Sequence, residues 1–301
     1  MKISVLLTCH NRQDKTESCL RSLIRAVDLH NKNHVDKIHF DVFLTDDGCT
    51  DGTVDVVQKV FPNNQHLHIL QGDGDLYWAG GMRYSWREAI KRHDEWDYYL
   101  LLNDDTEVME NVFEELIKSQ EYSLNQFGKK GLISGITCSK DESMTITYGG
   151  SVWKNRFLAT RSLLKPSGHP QPCDLTNANI LFVHNDVVSK LGIFYEGYRH
   201  GLADYDYSIN ALKKGFPVIL TANICGRCDR DHLDVKERAK KVISMSFKQR
   251  KQYFKNPLHS SDDYLLFVRR VSPIRYPFVW FGRAFNLYFP KVYYRISGIR
   301  S

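Results

Sequence analysis

The 301-residue sequence predicts an α/β fold, a mostly parallel sheet flanked by helices, on three observations. Short apolar runs alternate with stretches of helical periodicity. Each early run is buried-strand length and nearly continuous rather than alternating, as a strand covered on both faces requires. And the polar, turn-rich segments follow the runs, which puts them at the strands' C-terminal edge, where open α/β sheets bind ligands.

The elements follow in order. Residues 3–8 (Ile-Ser-Val-Leu-Leu-Thr) read as the first strand, and Leu20, Leu23, Ile24 and Val27 give 14–29 a helical stripe. Residues 40–45 form a second strand leading into Asp46-Asp47-Gly48-Cys49-Thr50-Asp51-Gly52, and Val54, Val57, Val60 and Phe61 mark the next helix. A third strand covers 66–70, a helix is expected from Met82 to Arg92, and a fourth strand, 98–102, stops at Asn103-Asp104-Asp105. From 131 to 235 the pattern is less regular, with strands near 131–137, 180–183 and 217–220 and a helix near 204–214. The expected division is a catalytic domain over 1–235, its halves meeting near 110, and a basic aromatic helical extension over 236–301.

Charge supports that division. Residues 1–235 hold 26 Lys and Arg against 32 Asp and Glu; residues 236–301 hold 15 against 3. In the tail, Phe278, Trp280, Phe281, Phe285, Tyr288 and Phe289 are interleaved with Arg275, Arg283 and Lys291. That mixture suits an anionic membrane surface, and equally a helical extension packed on the body or on a second copy in a homo-oligomer. No nucleic acid is expected, since no recognition motif accompanies the charge. No apolar run reaches the 18 residues of a membrane span, and Met1–Leu7 lacks a signal peptide's apolar stretch. Seven scattered cysteines fit reduced thiols. The expected location is cytoplasmic, peripheral on the membrane if the tail binds lipid.

Five constellations carry chemistry. Asp104 and Asp105 are adjacent carboxylates at a strand end, which repel unless they share a cation such as a phosphate-bound divalent ion; Asp105 or Thr106 also suits the cap of a helix over 107–120. The segment 45–53 sets a carboxylate at the same edge, or a turn with an Asp51 or Thr53 cap. Residues 72–83, with Gly80-Gly81, read as a flexible loop before a helix, a place for phosphate. Asp204 and Asp206 open a helix, as caps or with one as general base. Cys225-x-x-Cys228 is half of a zinc site, and His232 is a candidate ligand for another metal. No Ser/His/Asp arrangement suggests a covalent nucleophile.

Four of these segments, Thr8-Cys9-His10-Asn11-Arg12, Asp46 to Thr53, Leu101 to Thr106, and Ala203-Asp204-Tyr205-Asp206 with Lys214-Gly215 downstream, resemble in order and spacing a family 2 (GT-A) glycosyltransferase over about residues 1–235. Within it the rhamnosyltransferase-like enzymes of bacterial surface polysaccharide are most similar. The resemblance implies a GT-A fold and transfer of a hexose or rhamnose from a nucleotide-sugar donor to a glycan or lipid-linked oligosaccharide acceptor. It implies that Thr8 and Asp46 meet the nucleotide base, Asp104 the ribose, and Asp105 a divalent metal, Mn or Mg, with His232 as a further ligand. Asn11, Arg12, Gly81 and Arg83 fall among the donor-binding segments, with Trp78 beside them, and Asp204 falls at the base. Two departures stand out: Ala203 replaces the usual acidic residue before Asp204, keeping Asp206 as a rival, and Met82-Arg83 follows the paired glycines. Rival readings are a nucleotidyltransferase, or a catalytically silent GT-A scaffold that binds a nucleotide sugar or a partner.

Overall fold

The structure, a computed structural model, describes residues 1–61, 65–230, 234–259 and 261–298. Strands β1 (Lys2–Cys9), β2 (His39–Asp46), β3 (Leu67–Gln71) and β4 (Tyr98–Leu102) are joined through α1 (Gln13–Asn33), α2 (Thr53–Val60) and α3 (Tyr77–Ala89). There follow β5 (Glu107–Val108), α4 (Val112–Phe127), β6 (Leu132–Cys138), β7 (Ile146–Tyr148), β8 (Gly150–Asn155), β9 (Thr160–Leu163), β10 (Gln171–Pro172), β11 (Leu175–Thr176) and β12 (Ile180–His184). Then come α5 (Asn185–Leu191), α6 (Ala203–Lys213), β13 (Val218–Arg227) and the extension: α7 (Val235–Ser244), α8 (Phe247–Lys255), α9 (Ser261–Val271), α10 (Tyr276–Tyr288) and α11 (Pro290–Ile296).

The main sheet runs β10-β13-β6-β12-β4-β1-β2-β3, and β8, β9 and β11 form a small second sheet. The four strands from β4 to β3 are parallel, as expected. The other half is mixed, because β12 runs antiparallel between β4 and β6. The chain turns back at β1, whose neighbours are β2 on one side and β4 on the other. That reversal opens the crevice at the C-terminal ends of these strands.

Both faces of the sheet are covered. Ile3, Val5 and Leu7 point into the layer made with α1, α2 and α4, while Leu6 points to the layer of α3, α5 and α6. The unbroken apolar run of β1 is therefore what its position requires.

Two element boundaries move. Helix α3 begins at Tyr77, not Met82, so Gly80 and Gly81 are helical rather than a loop. The reason is a close approach: a Cβ on Gly81 would lie 2.1 Å from Thr8 Oγ1, so a glycine lets α3 settle on the end of β1. Similarly, 103–111 contains a turn and β5 before α4 starts at Val112, so neither Asp105 nor Thr106 caps a helix.

The extension is not uniform. Helix α9 enters the core beside α3, α5 and α6: Phe267 is 5% exposed and Val268 1%. Helices α7, α8 and α11 share a small core of Ala239, Val242, Tyr253, Phe254 and Tyr294. Along α10, by contrast, Phe278, Trp280 and Phe281 are 54–73% exposed. Helix α9 is thus packed into the body, whereas these three α10 side chains face solvent. No helix among the described residues is long and apolar enough to cross a membrane.

Candidate active site

The site is built on the C-terminal ends of β1, β2 and β4. After β4, the Asp104 carboxyl is 6% exposed, and burial raises its pKa to about 7 despite the Arg12 guanidinium beside it. Arg12 Nη1 donates to Asp104 Oδ1 at 3.2 Å and to Asp105 Oδ2 at 2.8 Å. One cation shared by two carboxylates is how this chain relieves the repulsion that their adjacency creates. Asp104 Oδ2 is buried with no hydrogen-bond partner among the described residues. Such a group at a site lined by carboxylate oxygens fits a hard divalent ion.

At the neighbouring strand ends, Thr8 is buried against Gly81, and Asp46, 4% exposed, accepts the Cys49 N–H at 2.8 Å. Asn11 adopts a left-handed φ of 50°, and its Oδ1 accepts the Thr50 N–H at 2.7 Å, tying the loop after β1 to the loop after β2. Asp51 caps α2 from one residue before Gly52, accepting from the N–H and the hydroxyl of Thr53.

The segment 72–83 differs from expectation. The Ala79 and Gly80 N–H groups donate to Arg199 O at 3.1 and 3.4 Å and are not turned to a phosphate. Arg83 Nη1 donates to Tyr198 O at 2.5 Å and Tyr195 O at 3.3 Å, so this side chain supports the 195–198 loop. Trp78 acts one step from the aspartates, its Nε1 donating to Asn103 Oδ1 at 2.8 Å.

Asp204 is tied to the end of β4 by a short backbone bridge. The Asn103 N–H donates to Asn179 O at 3.2 Å, and one residue earlier the Ala178 N–H donates to Asp204 Oδ2, also at 3.2 Å. Asp204 Oδ1 accepts from the Tyr205 N–H at 2.9 Å. Burial outweighs these donors and raises the pKa to about 6. Asp206, two residues on, faces away: Oδ2 pairs with Arg270 of α9 at 3.0 Å and accepts from Asn210 at 3.2 Å. It fastens the extension to α6.

The cysteine pair divides. Cys225 is buried within β13, and Cys228 donates to Asp105 Oδ1 at 3.4 Å. Among the described residues the two do not belong to one metal-sized cluster, which leaves the half zinc site without support. His232 lies outside the described residues.

Sequence reasoning missed two residues. Asp47 accepts the N–H groups of Gly74 and Leu76 on Oδ1 and of Tyr77 on Oδ2, folding the 72–77 turn over the end of β2. The double aspartate at 46–47 was its only signal. Asp263 of α9, 4% exposed, accepts the N–H groups of Arg199, His200 and Gly201 at 3.0, 2.8 and 2.8 Å. It lies beyond the stretch that resembles known enzymes, and nothing in its local sequence marked it.

Residues 4–127 match the family model described as "Glycosyl transferase family 2". Among solved structures, the mannosyltransferase PcManGT from Pyrobaculum calidifontis, in complex with GDP-Man and Mn2+, superposes with a TM-score of 0.52 at 12% identity, over 92% of this chain and 72% of that one. S. aureus TarS 1–349 in complex with UDP-GlcNAc gives 0.51 at 13%, over 97% and 88%. GalNAc-T7 with UDP, GalNAc and Mn2+ gives 0.51 at 12%, over 75% of this chain but only 43% of that one. No curated protein sequence matches. The fold is GT-A, and residues 4–127 carry the match to the glycosyl transferase family 2 model.

Proposed function

We propose that this protein transfers a sugar, with inversion, from a nucleotide-sugar donor to a hydroxyl of a lipid-linked glycan acceptor in the assembly of bacterial surface polysaccharide. The observation that carries the reading is the Asn103–Asn179 and Ala178–Asp204 bridge, which ties a buried carboxylate of raised pKa to the strand end that carries the aspartate pair. In this reading Thr8, Asn11 and Asp46 hold the nucleoside, with Asp104 at the ribose. Asp204 takes the proton of the acceptor hydroxyl as it attacks the anomeric carbon. Arg12, already against both carboxylates, offsets part of the repulsion between them. A divalent ion, Mn2+ or Mg2+, held by Asp105 would supply Lewis-acid stabilisation to the departing nucleoside diphosphate. The known relatives' complexes with nucleotide sugars and Mn2+ support this choice. Incubation with a panel of nucleotide sugars and Mn2+ tests it: acceptor-dependent release of nucleoside diphosphate is expected, whereas pyrophosphate release would mean nucleotidyl transfer, and no turnover a silent scaffold.

Asp105→Ala is expected to weaken Mn2+-dependent binding of UDP or GDP by at least about tenfold, the scale of a lost charge-assisted contact. Calorimetric titration with and without Mn2+ reads it, and an unchanged metal dependence would remove Asp105 from its role.

We place the protein on the cytoplasmic face of the membrane through α10. Phe278, Trp280 and Phe281 are solvent-facing, with Arg275 at the start of the same helix and Lys291 just after it. Basic residues near an anionic surface contribute about 1 kcal/mol each, and less at high salt. Vesicles of increasing anionic lipid content should sediment the full chain at low salt. The Phe278→Ser, Trp280→Ser, Phe281→Ser variant should stay in the supernatant; equal sedimentation of both would exclude α10 as the anchor.

A further inference from the structure

Two thiols stand together at the donor crevice, and the reaction proposed above uses neither. Cys9, the last residue of β1, is 2% exposed, while Cys49 in the loop after β2 is only partly covered. Their sulfurs are 3.8 Å apart, and neither is in a disulfide. Cys49 is held in place by the residues assigned to the nucleoside. The Asn11 N–H donates to Cys49 Sγ at 3.2 Å, and the Cys49 N–H donates to Asp46 Oδ1 at 2.8 Å. The contact between the two sulfurs lowers the Cys49 pKa, and together with burial it raises that of Cys9. The more exposed sulfur is thus also the better nucleophile.

We propose that Cys9 and Cys49 are a modification site: an oxidisable dithiol whose disulfide closes the donor crevice to nucleotide. The inference rests on the reading in which Asn11 and Asp46 border the donor. The oxidant class is a small-molecule disulfide. The Cys49 thiolate attacks one of its sulfurs and expels a thiolate, leaving a mixed disulfide on Cys49. Cys9 then gives its proton to the expelled thiolate and attacks Cys49 Sγ, breaking the mixed disulfide and releasing the second thiol. Two protein thiols are oxidised, one disulfide is reduced to two thiols, and the protein loses two hydrogens.

The physical consequence is movement. An S–S bond is about 2.05 Å long, so the sulfurs must close by nearly half their present separation. β1 is fixed in the sheet between β2 and β4, so the 47–52 loop yields. Gly48, at a φ of +75°, and Gly52, at +87°, provide the turning points. Cys49 then leaves the Asn11 N–H and draws on Asp46, so both nucleoside contacts shift. By linkage, bound nucleotide should in turn slow the cross-link.

The test is treatment of the full chain with oxidised glutathione, followed by peptide mass spectrometry and titration with UDP and with GDP, each with Mn2+. We expect a Cys9–Cys49 cross-linked peptide and a loss of nucleotide affinity of about tenfold, the scale of one displaced hydrogen-bonding group. Dithiothreitol should restore the affinity, and Cys49→Ser should bind like the reduced protein and ignore the oxidant. A stable glutathione adduct without the cross-link, two thiols that still alkylate, or a cross-linked protein of unchanged affinity would each overturn the proposal. If the reduced chain binds neither nucleotide, the donor-site reading fails and a donor-site switch fails with it. The mass measurement would still report separately whether the pair forms its bond.

Discussion

Asp204→Asn is expected to cut transfer by about 10²–10⁴ while leaving nucleotide affinity within a few-fold, because a general base acts on the acceptor in the transition state and not on the bound nucleotide. The asparagine keeps the size of the side chain and an oxygen for the Ala178 N–H, so the bridge to Asn103 survives and the loss reads chemistry rather than collapse. The wild type gives an independent check. A base must be ionised, and burial raises the Asp204 pKa to about 6, so kcat/KM should rise with pH up to about 6 and level off above it. Steady-state rates across pH, paired with calorimetry of the variant, read both. An Asp204→Asn enzyme that works, beside a dead Asp206→Asn whose fold is intact, would move the base two residues along α6.

Truncation before Ser261 should abolish folding of the whole chain, not merely its attachment to a surface. The sequence alone suggests a detachable tail, but α9 fills the core and its charges are used. Removing it uncovers the cavity of Phe267, a residue type whose loss from a core costs about 3–5 kcal/mol. It also strands Asp206, buried at 3%, without Arg270, which is about as costly again. Together these approach the whole stability of a typical domain, about 5–15 kcal/mol, before the three N–H groups held by Asp263 are counted. Circular dichroism and solubility of the truncated chain decide it. A folded, monomeric product would mean that the packing of α9 contributes little. Asp263→Asn probes the same contact more gently, and should lower the melting temperature while leaving the chain folded.

What the sequence determined by itself was whatever short-range pattern encodes. The buried parallel strands were legible because two covered faces leave no room for polar alternation, as Ile3 to Leu7 show. The aspartates at 46, 104 and 105 were legible because their strands end there, and an open sheet gathers such ends at one edge. The tertiary structure decided the rest. Gly80 and Gly81 read as a loop, yet both are helical, and α3 needs the bare backbone of Gly81 against Thr8. The Arg83 guanidinium meets the carbonyls of Tyr195 and Tyr198, more than a hundred residues away, a contact that local sequence does not encode. Asp204 and Asp206 are told apart by their partners, Ala178 for one and Arg270 for the other, neither near in sequence. Spacing records which residues are neighbours along a chain, whereas a side chain's role here is set by partners that only long-range packing supplies.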